Sequence, residues 1–233
     1  MLAFDIFNFW AQGDAVSHSV LLLLLLLSVG SWTVILTKGW QLTALRRSAD
    51  ALVDRFWTAP SLTAGVEQLH RARYFSKLAL AGEQALRHHQ RHAQDCSHLD
   101  AQLSLSDMVT RSLRHALNQA GSQLENGQTL LASVGSTAPF IGLFGTVWGI
   151  YHALAQIGLG GQASLDKIAG PVGEALIMTA FGLLVAIPAV LAFNAFNRTQ
   201  RLIMAELDAF AHDLHAYLTT GHSLRQDCLV EAA

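Results

Sequence analysis

The sequence predicts an all-α membrane protein: three transmembrane helices with helical cytoplasmic extensions, the N-terminus outside and the C-terminus inside. Three observations carry this expectation. Of 233 residues, 52% are hydrophobic and only 14% are charged, a balance foreign to an ordinary soluble domain. The apolar residues gather into three runs, each meeting the roughly 20 residues needed to cross a hydrocarbon core. Of the 15 Lys and Arg residues, all but Lys167 lie between the first and second runs or after the third. Short cation-rich segments stay in the cytoplasm, which fixes the expected orientation. A net charge of -2 offers no basic field for a nucleic-acid backbone, so nucleic acid is not an expected partner.

Residues 1–16 place Leu2, Ile6 and Phe9 at helical spacing with Trp10 beside them, which suits a helix lying in the outer membrane–water interface. The first span, residues 17–37, contains the uninterrupted run Leu21 to Leu27. A cleaved signal peptide is the competing reading, but Asp5 and Asp14 precede the run without any Lys or Arg. Residues 38–129 are rich in Leu, Ala, Gln, Arg and His with a single proline, Pro60, and predict a helical cytoplasmic domain. The stretches Lys38–Phe56 and Leu113–Val134 read as unbroken helical continuations of the spans. Within this domain His88, His89, His92 and Cys96 raise a metal question. Neighbouring Arg87, Gln90, Arg91 and Gln94 favour a solvated helix face, and no metal site is expected. Cys96 and Cys228, far apart in polar segments, read as free, reduced thiols.

The second span, residues 130–157, carries no charged residue; a short outer loop over 158–167 follows, and the third span, residues 168–197, is apolar except for Glu174. Residues 198–233 complete the chain as a cytoplasmic C-terminal helix and tail, with Leu202, Phe210, Leu214 and Tyr217 expected on its packed face. No GxxxxGK[ST], HExxH or GxSxG pattern occurs, so neither an enzyme activity nor a cofactor is expected.

The candidate functional residues lie in spans two and three. A carboxylate inside a span costs about 2.5–3.5 kcal/mol on insertion scales, so it usually faces a bundle interior or water. Glu174 is the one acid inside a span, and apolar surroundings that penalise its charged form would let it take up and release a proton. The spacing fits equally a Glu174 that reaches to the outer interface and one held at membrane depth. In span two, Gly135, Pro139, Gly142, Thr146 and Gly149 recur at intervals of four and three residues. Such a face either lets helices pack closely within one subunit or lines a pore, and spacing does not separate the two. Thr179, five residues after Glu174, lies about 140° from it around the helix. Pro188 is expected to bend span three.

The run Ser136-Thr137-Ala138-Pro139-Phe140-Ile141-Gly142-Leu143-Phe144-Gly145-Thr146-Val147-Trp148-Gly149-Ile150, with Gly173-Glu174-Ala175-Leu176 and Ala186-Ile187-Pro188-Ala189, closely resembles the MotA/TolQ/ExbB proton-channel family. The motifs span about residues 130–200, and the three-span topology agrees over the whole chain. The resemblance implies a subunit of a multi-pass complex in the bacterial inner membrane. Several copies of the chain, a homopentamer, would surround the single-span helices of an ExbD-like or TolR-like partner that brings an aspartate to the pore. The proton-motive force would then drive a TonB-like or TolA-like protein acting on the outer membrane. It further implies proton-pathway roles for Glu174, Thr146 and Thr179 and favours a pore-facing Glu174. The first span, Ser31-Trp32-Thr33-Val34-Ile35-Leu36 followed by Lys38, inclines the resemblance towards ExbB-like rather than TolQ-like members. A scaffold whose glycine faces only pack helices is the reading of another class. A complete secondary transporter needs paired repeats that three spans do not supply.

Overall fold

The structure, a computed structural model of the chain, describes residues 14–69, 72–92, 104–160 and 165–221, with the side chains of 47–50, 92, 156–160, 165–169, 171 and 174 outside that description. The expected interfacial helix before Asp14, Cys96, Cys228, the His92 side chain and the tail beyond Gly221 therefore lie outside the described residues. Among the described residues six helices follow in order: α1 (Ala15–Trp57), α2 (Leu62–Gln68), α3 (Arg73–His92), α4 (Leu105–Glu125), α5 (Gln128–Gly160) and α6 (Leu165–Thr220). No strand occurs among the described residues. Among the described residues three stretches are long and apolar enough to cross a membrane: Ala15–Trp57, Leu105–Ala155 and Ala175–Thr220. The chain divides into two compact units, Met1–Gly39 with Gly127–Asn197, and Trp40–Asn126 with Arg198–Ala233.

The first unit buries a narrow seam and exposes the rest of its apolar surface. Val20, Leu24, Leu131, Val134, Ala138, Met178, Val185, Ala186 and Ala189 form the seam. On α1, Leu24 is 2% exposed whereas its neighbour Leu25 is 59% exposed. Phe140, Phe144 and Val147 on α5, and Leu184, Ile187 and Leu191 on α6, are exposed in the same way. Helices that are apolar all round and only partly buried are built for a hydrocarbon solvent. Their hydroxyls are satisfied internally: Ser31 donates to the Leu27 carbonyl at 2.8 Å, Thr33 to Val29 at 2.8 Å and Thr37 to Thr33 at 2.7 Å. Such back-bonding removes a polar group that lipid could not solvate.

The second unit has a packed apolar core of its own. Phe56, Leu69, Phe75, Leu78, Val109, Leu113, Leu124, Ile203, Leu207, Phe210 and Leu214 are buried. Phe210 sits edge-on to Phe56 at 5.1 Å and to Phe75 at 5.5 Å between ring centres, an arrangement that aromatic quadrupoles favour. The helix starts are capped by side-chain oxygens: Ser61 accepts from the Ala64 amide and Ser104 from the Asp107 amide.

Three expectations need correction. The stretch Leu113–Val134 is not one helix: α4 ends at Glu125, and Gly127 takes a left-handed φ of +83° before α5 begins at Gln128. The cause is the Asn126-Gly127 pair, in which glycine adopts a φ that a Cβ would penalise. The packed face of the C-terminal helix is shifted by one residue at its start, since Leu202 is 41% exposed while Ile203 is 1% exposed. Ile203, Leu207, Phe210 and Leu214 follow the helical period, and Leu202 falls outside it. Of the residues expected as a loop over 158–167, residues 158–160 belong to α5, which runs to Gly160, and 165–167 to α6, which opens at Leu165. A helical glycine costs only about 1 kcal/mol relative to alanine, too little by itself to end an apolar helix.

Candidate functional site

The first unit pairs α5 with α6 through glycine. A Cβ added at Gly149 would stand 2.9 Å from the Ala175 Cβ. One at Gly142 would stand 2.7 Å from the Met178 carbonyl oxygen and 3.0 Å from the Gly182 Cα, and one at Gly135 would overlap Val190. Rising numbers on α5 meet falling numbers on α6, so the two helices run antiparallel. Gly182 closes the approach from the other side, where a Cβ would lie 2.6 Å from the Ala138 carbonyl oxygen. Small residues thus bring backbone against backbone, the geometry that drives helix association where no hydrophobic effect operates. Of the span-two face, Gly135, Gly142 and Gly149 are occupied by contacts with α6 of the same chain. Pro139 is partly buried within α5, between buried Ala138 and exposed Phe140.

The candidate threonines meet in this seam. The Thr179 hydroxyl donates to the Thr146 Oγ1 at 3.4 Å, and the Thr146 hydroxyl donates in turn to the Leu143 carbonyl at 2.7 Å. Thr146 is only 4% exposed and Thr179 is half-buried. The pair is a directed chain of two hydroxyls across the α5–α6 contact, and each oxygen keeps acceptor capacity beyond the bonds it donates. Glu174 lies in α6 one residue before Ala175, hence at the level of Gly149 and about 7.5 Å along the axis from Thr179. Its side chain is outside the described residues, so the register of its backbone is what locates it.

A second polar cluster lies nearby that the sequence reading did not join together. Asp14 begins α1: its Oδ1 accepts from the Ala15 amide at 2.6 Å, and its Oδ2 accepts from the Trp148 indole N–H at 3.1 Å. His152 Nδ1 stands 4.0 Å from the same Oδ2. Trp148 and His152 are one helical turn apart on α5, a spacing that puts two side chains on one face and was the available signal. Elsewhere, the described residues hold no group of three or more His, Cys, Asp or Glu able to bind a metal. His88 is exposed on α3 and His89 is partly buried there.

Comparison with known proteins bears on the same residues. The sequence model of the MotA/TolQ/ExbB proton channel family matches residues 76–209, which include Thr146, Glu174 and Thr179. A protein of Xanthomonas campestris pv. campestris (strain B100) named biopolymer transport protein ExbB is 47% identical over 219 residues, 92% of this chain and 87% of its own length. A biopolymer transport protein ExbB of Neisseria meningitidis is 43% identical over 208 residues, covering 89% of this chain and 94% of its own. The Tol-Pal system protein TolQ of Pseudomonas aeruginosa is 34% identical over 223 residues, 89% of this chain and 90% of its own.

Proposed function

Since this chain belongs to the MotA/TolQ/ExbB proton channel family, we propose that it is the ExbB-like subunit of an inner-membrane proton channel that energises a TonB-like protein. The work done is active transport across the outer membrane, of the iron-siderophore or vitamin type. The chain spans the membrane three times, with residues 1–16 outside and the Trp40–Asn126 unit and C-terminus in the cytoplasm. It assembles as a homopentamer around single-span, ExbD-like helices, each of which brings an aspartate. The identity of 43–47% to proteins named ExbB, against 34% to one named TolQ, supports this branch over a TolQ-like role.

The observation that carries the proposal is the Thr179–Thr146 hydroxyl pair, with Thr146 buried in an otherwise apolar seam and the one acid of span three about 7.5 Å along the helix from Thr179. Two hydroxyls in hydrocarbon are costly unless bonded, and here they are bonded to each other and to a carbonyl. They can pass or orient a proton and bear no charge themselves. Glu174 takes the proton from the outer side as a neutral acid, which can face apolar surroundings at far lower cost than its carboxylate. The hydroxyls then orient it or a water towards the partner's aspartate, and the proton leaves to the cytoplasm. Gly135, Pro139, Gly142 and Gly149 act as the wall of this path, and the three glycines, by holding α5 against α6, fix the spacing of its polar groups.

The test is transport by the complex reconstituted with its single-span partner. Glu174→Gln abolishes proton uptake into vesicles while the complex still assembles. Full proton uptake in that variant would leave the packing glycines as the only function of the two spans, which is the scaffold reading.

A further inference from the structure

Asp14, Trp148 and His152 are not part of the path just described, yet they stand at the same end of the α5–α6 pair as Glu174. Along α5, His152 lies six residues beyond Thr146, and along α6 Glu174 lies five residues before Thr179; because the helices are antiparallel, both displacements point the same way. They amount to about 9 Å and 7.5 Å. Gly149, between Trp148 and His152 in sequence, packs on Ala175, the residue after Glu174.

We propose that Asp14 and His152 form a proton-collecting pair that loads Glu174 from the outer solution. The inference rests on the functional reading above, which places this end of the helices outside. Three features support it. The Asp14 and His152 side chains are 33% and 44% exposed in the single chain, so neither is sealed inside the fold. The Asp14 carboxylate accepts one bond at each oxygen, from the Ala15 amide and the Trp148 indole, which holds it in place beside the imidazole. Imidazole is a side chain able to accept and release a proton, whereas the Trp148 indole, which bonds the same carboxylate, is a donor only. Titratable groups close by in sequence or register include His18, one turn along α1 from Asp14, Tyr151 beside His152 on α5, and Asp166, Lys167 and Glu174 on α6.

The step balances simply. A hydronium ion gives its proton to the neutral His152 ring beside the Asp14 carboxylate, and the proton then passes through water to the Glu174 carboxylate, restoring neutral imidazole. A fixed carboxylate at the entrance also concentrates cations locally, an effect that raises capture rates by about 10-fold or more.

The experiment uses the complete complex in vesicles, with a proton gradient imposed from the side carrying the N-terminus and the outer medium weakly buffered. His152→Gln and Asp14→Asn each slow proton uptake about 10-fold, and adding imidazole to the outer medium restores the wild-type rate by replacing the lost carrier. Both substitutions keep hydrogen-bonding capacity, and Asp14→Asn retains an oxygen for the Ala15 amide, so assembly is checked by size-exclusion chromatography rather than assumed. Wild-type rates in weak buffer would overturn the relay. So would slowed rates that imidazole leaves unchanged, since that marks the Asp14–Trp148 bond as a structural pin. The control separates the two readings: if Glu174→Gln conducts as well as wild type, the functional reading itself falls and takes the relay with it. If Glu174→Gln is inactive and the two outer variants behave as wild type, the relay alone falls.

Discussion

Replacing Gly142 by alanine probes how the seam spaces its polar groups. The added Cβ would lie 2.7 Å from the Met178 carbonyl oxygen, 3.0 Å from the Gly182 Cα and 3.2 Å from the Thr179 Cα. All three are backbone atoms, so no side chain can rotate away. Reaching an ordinary contact of about 3.4 Å from 2.7 Å requires the helices to part by about 0.7 Å at this level. The Thr179–Thr146 bond, one turn further along α5, is already 3.4 Å long. A separation of that size carries it to about 4 Å, outside hydrogen-bonding range. Overpacking of this kind costs about 1–3 kcal/mol, enough to lower the melting temperature of the solubilised protein without unfolding it. Gly142→Ala should therefore remain assembled, melt earlier and lose proton uptake. Gly30→Ala is the matched control, because a Cβ there has no neighbour within 4 Å; it should melt at or above the wild-type temperature and conduct normally. If Gly142→Ala keeps both wild-type melting and wild-type proton uptake, the claim that close α5–α6 approach sets the hydroxyl geometry is wrong.

Three further substitutions test separate parts of the account. Thr146→Val removes the hydroxyl that bonds Leu143 and receives Thr179, should cost about 0.6–1.7 kcal/mol and should slow proton uptake, while Thr146→Ser should conduct; vesicle flux compares them. Gly127→Ala forces a Cβ into a left-handed backbone at 3.1 Å from Val34 and should lower stability by about 1–2 kcal/mol, read by thermal melting. Phe210→Ala empties the centre of the aromatic cluster formed with Phe56 and Phe75 and should destabilise the second unit by about 3–5 kcal/mol, seen as early protease cleavage within Trp40–Asn126.

The three-helix architecture was legible because its signal is local: a span declares itself by the length of its apolar run, whatever it packs against. Glu174 stood out for the same reason, as a carboxylate where lipid penalises charge. The meeting of Thr146 with Thr179 was less accessible, because spacing along α5 and along α6 does not set the register between them. That register comes from where Gly142 and Gly182 let two backbones touch. The Trp148–Asp14 bond joins residues 134 positions apart, and no periodicity in either helix announces it. The break at Asn126–Gly127 rests on a dipeptide that favours a turn, set in a stretch whose composition otherwise favours helix. Ile203 and Leu202 show a smaller ambiguity of the same origin: both are apolar, and only the neighbours in the folded bundle decide which is buried.

The central claim is that Glu174 carries protons along the seam that Thr146 and Thr179 line. Its most direct measurement is proton uptake by vesicles containing the assembled complex, comparing wild type with Glu174→Gln under the same imposed gradient. The account predicts uptake in wild type and none in Glu174→Gln at equal assembly; equal uptake in the two would contradict it.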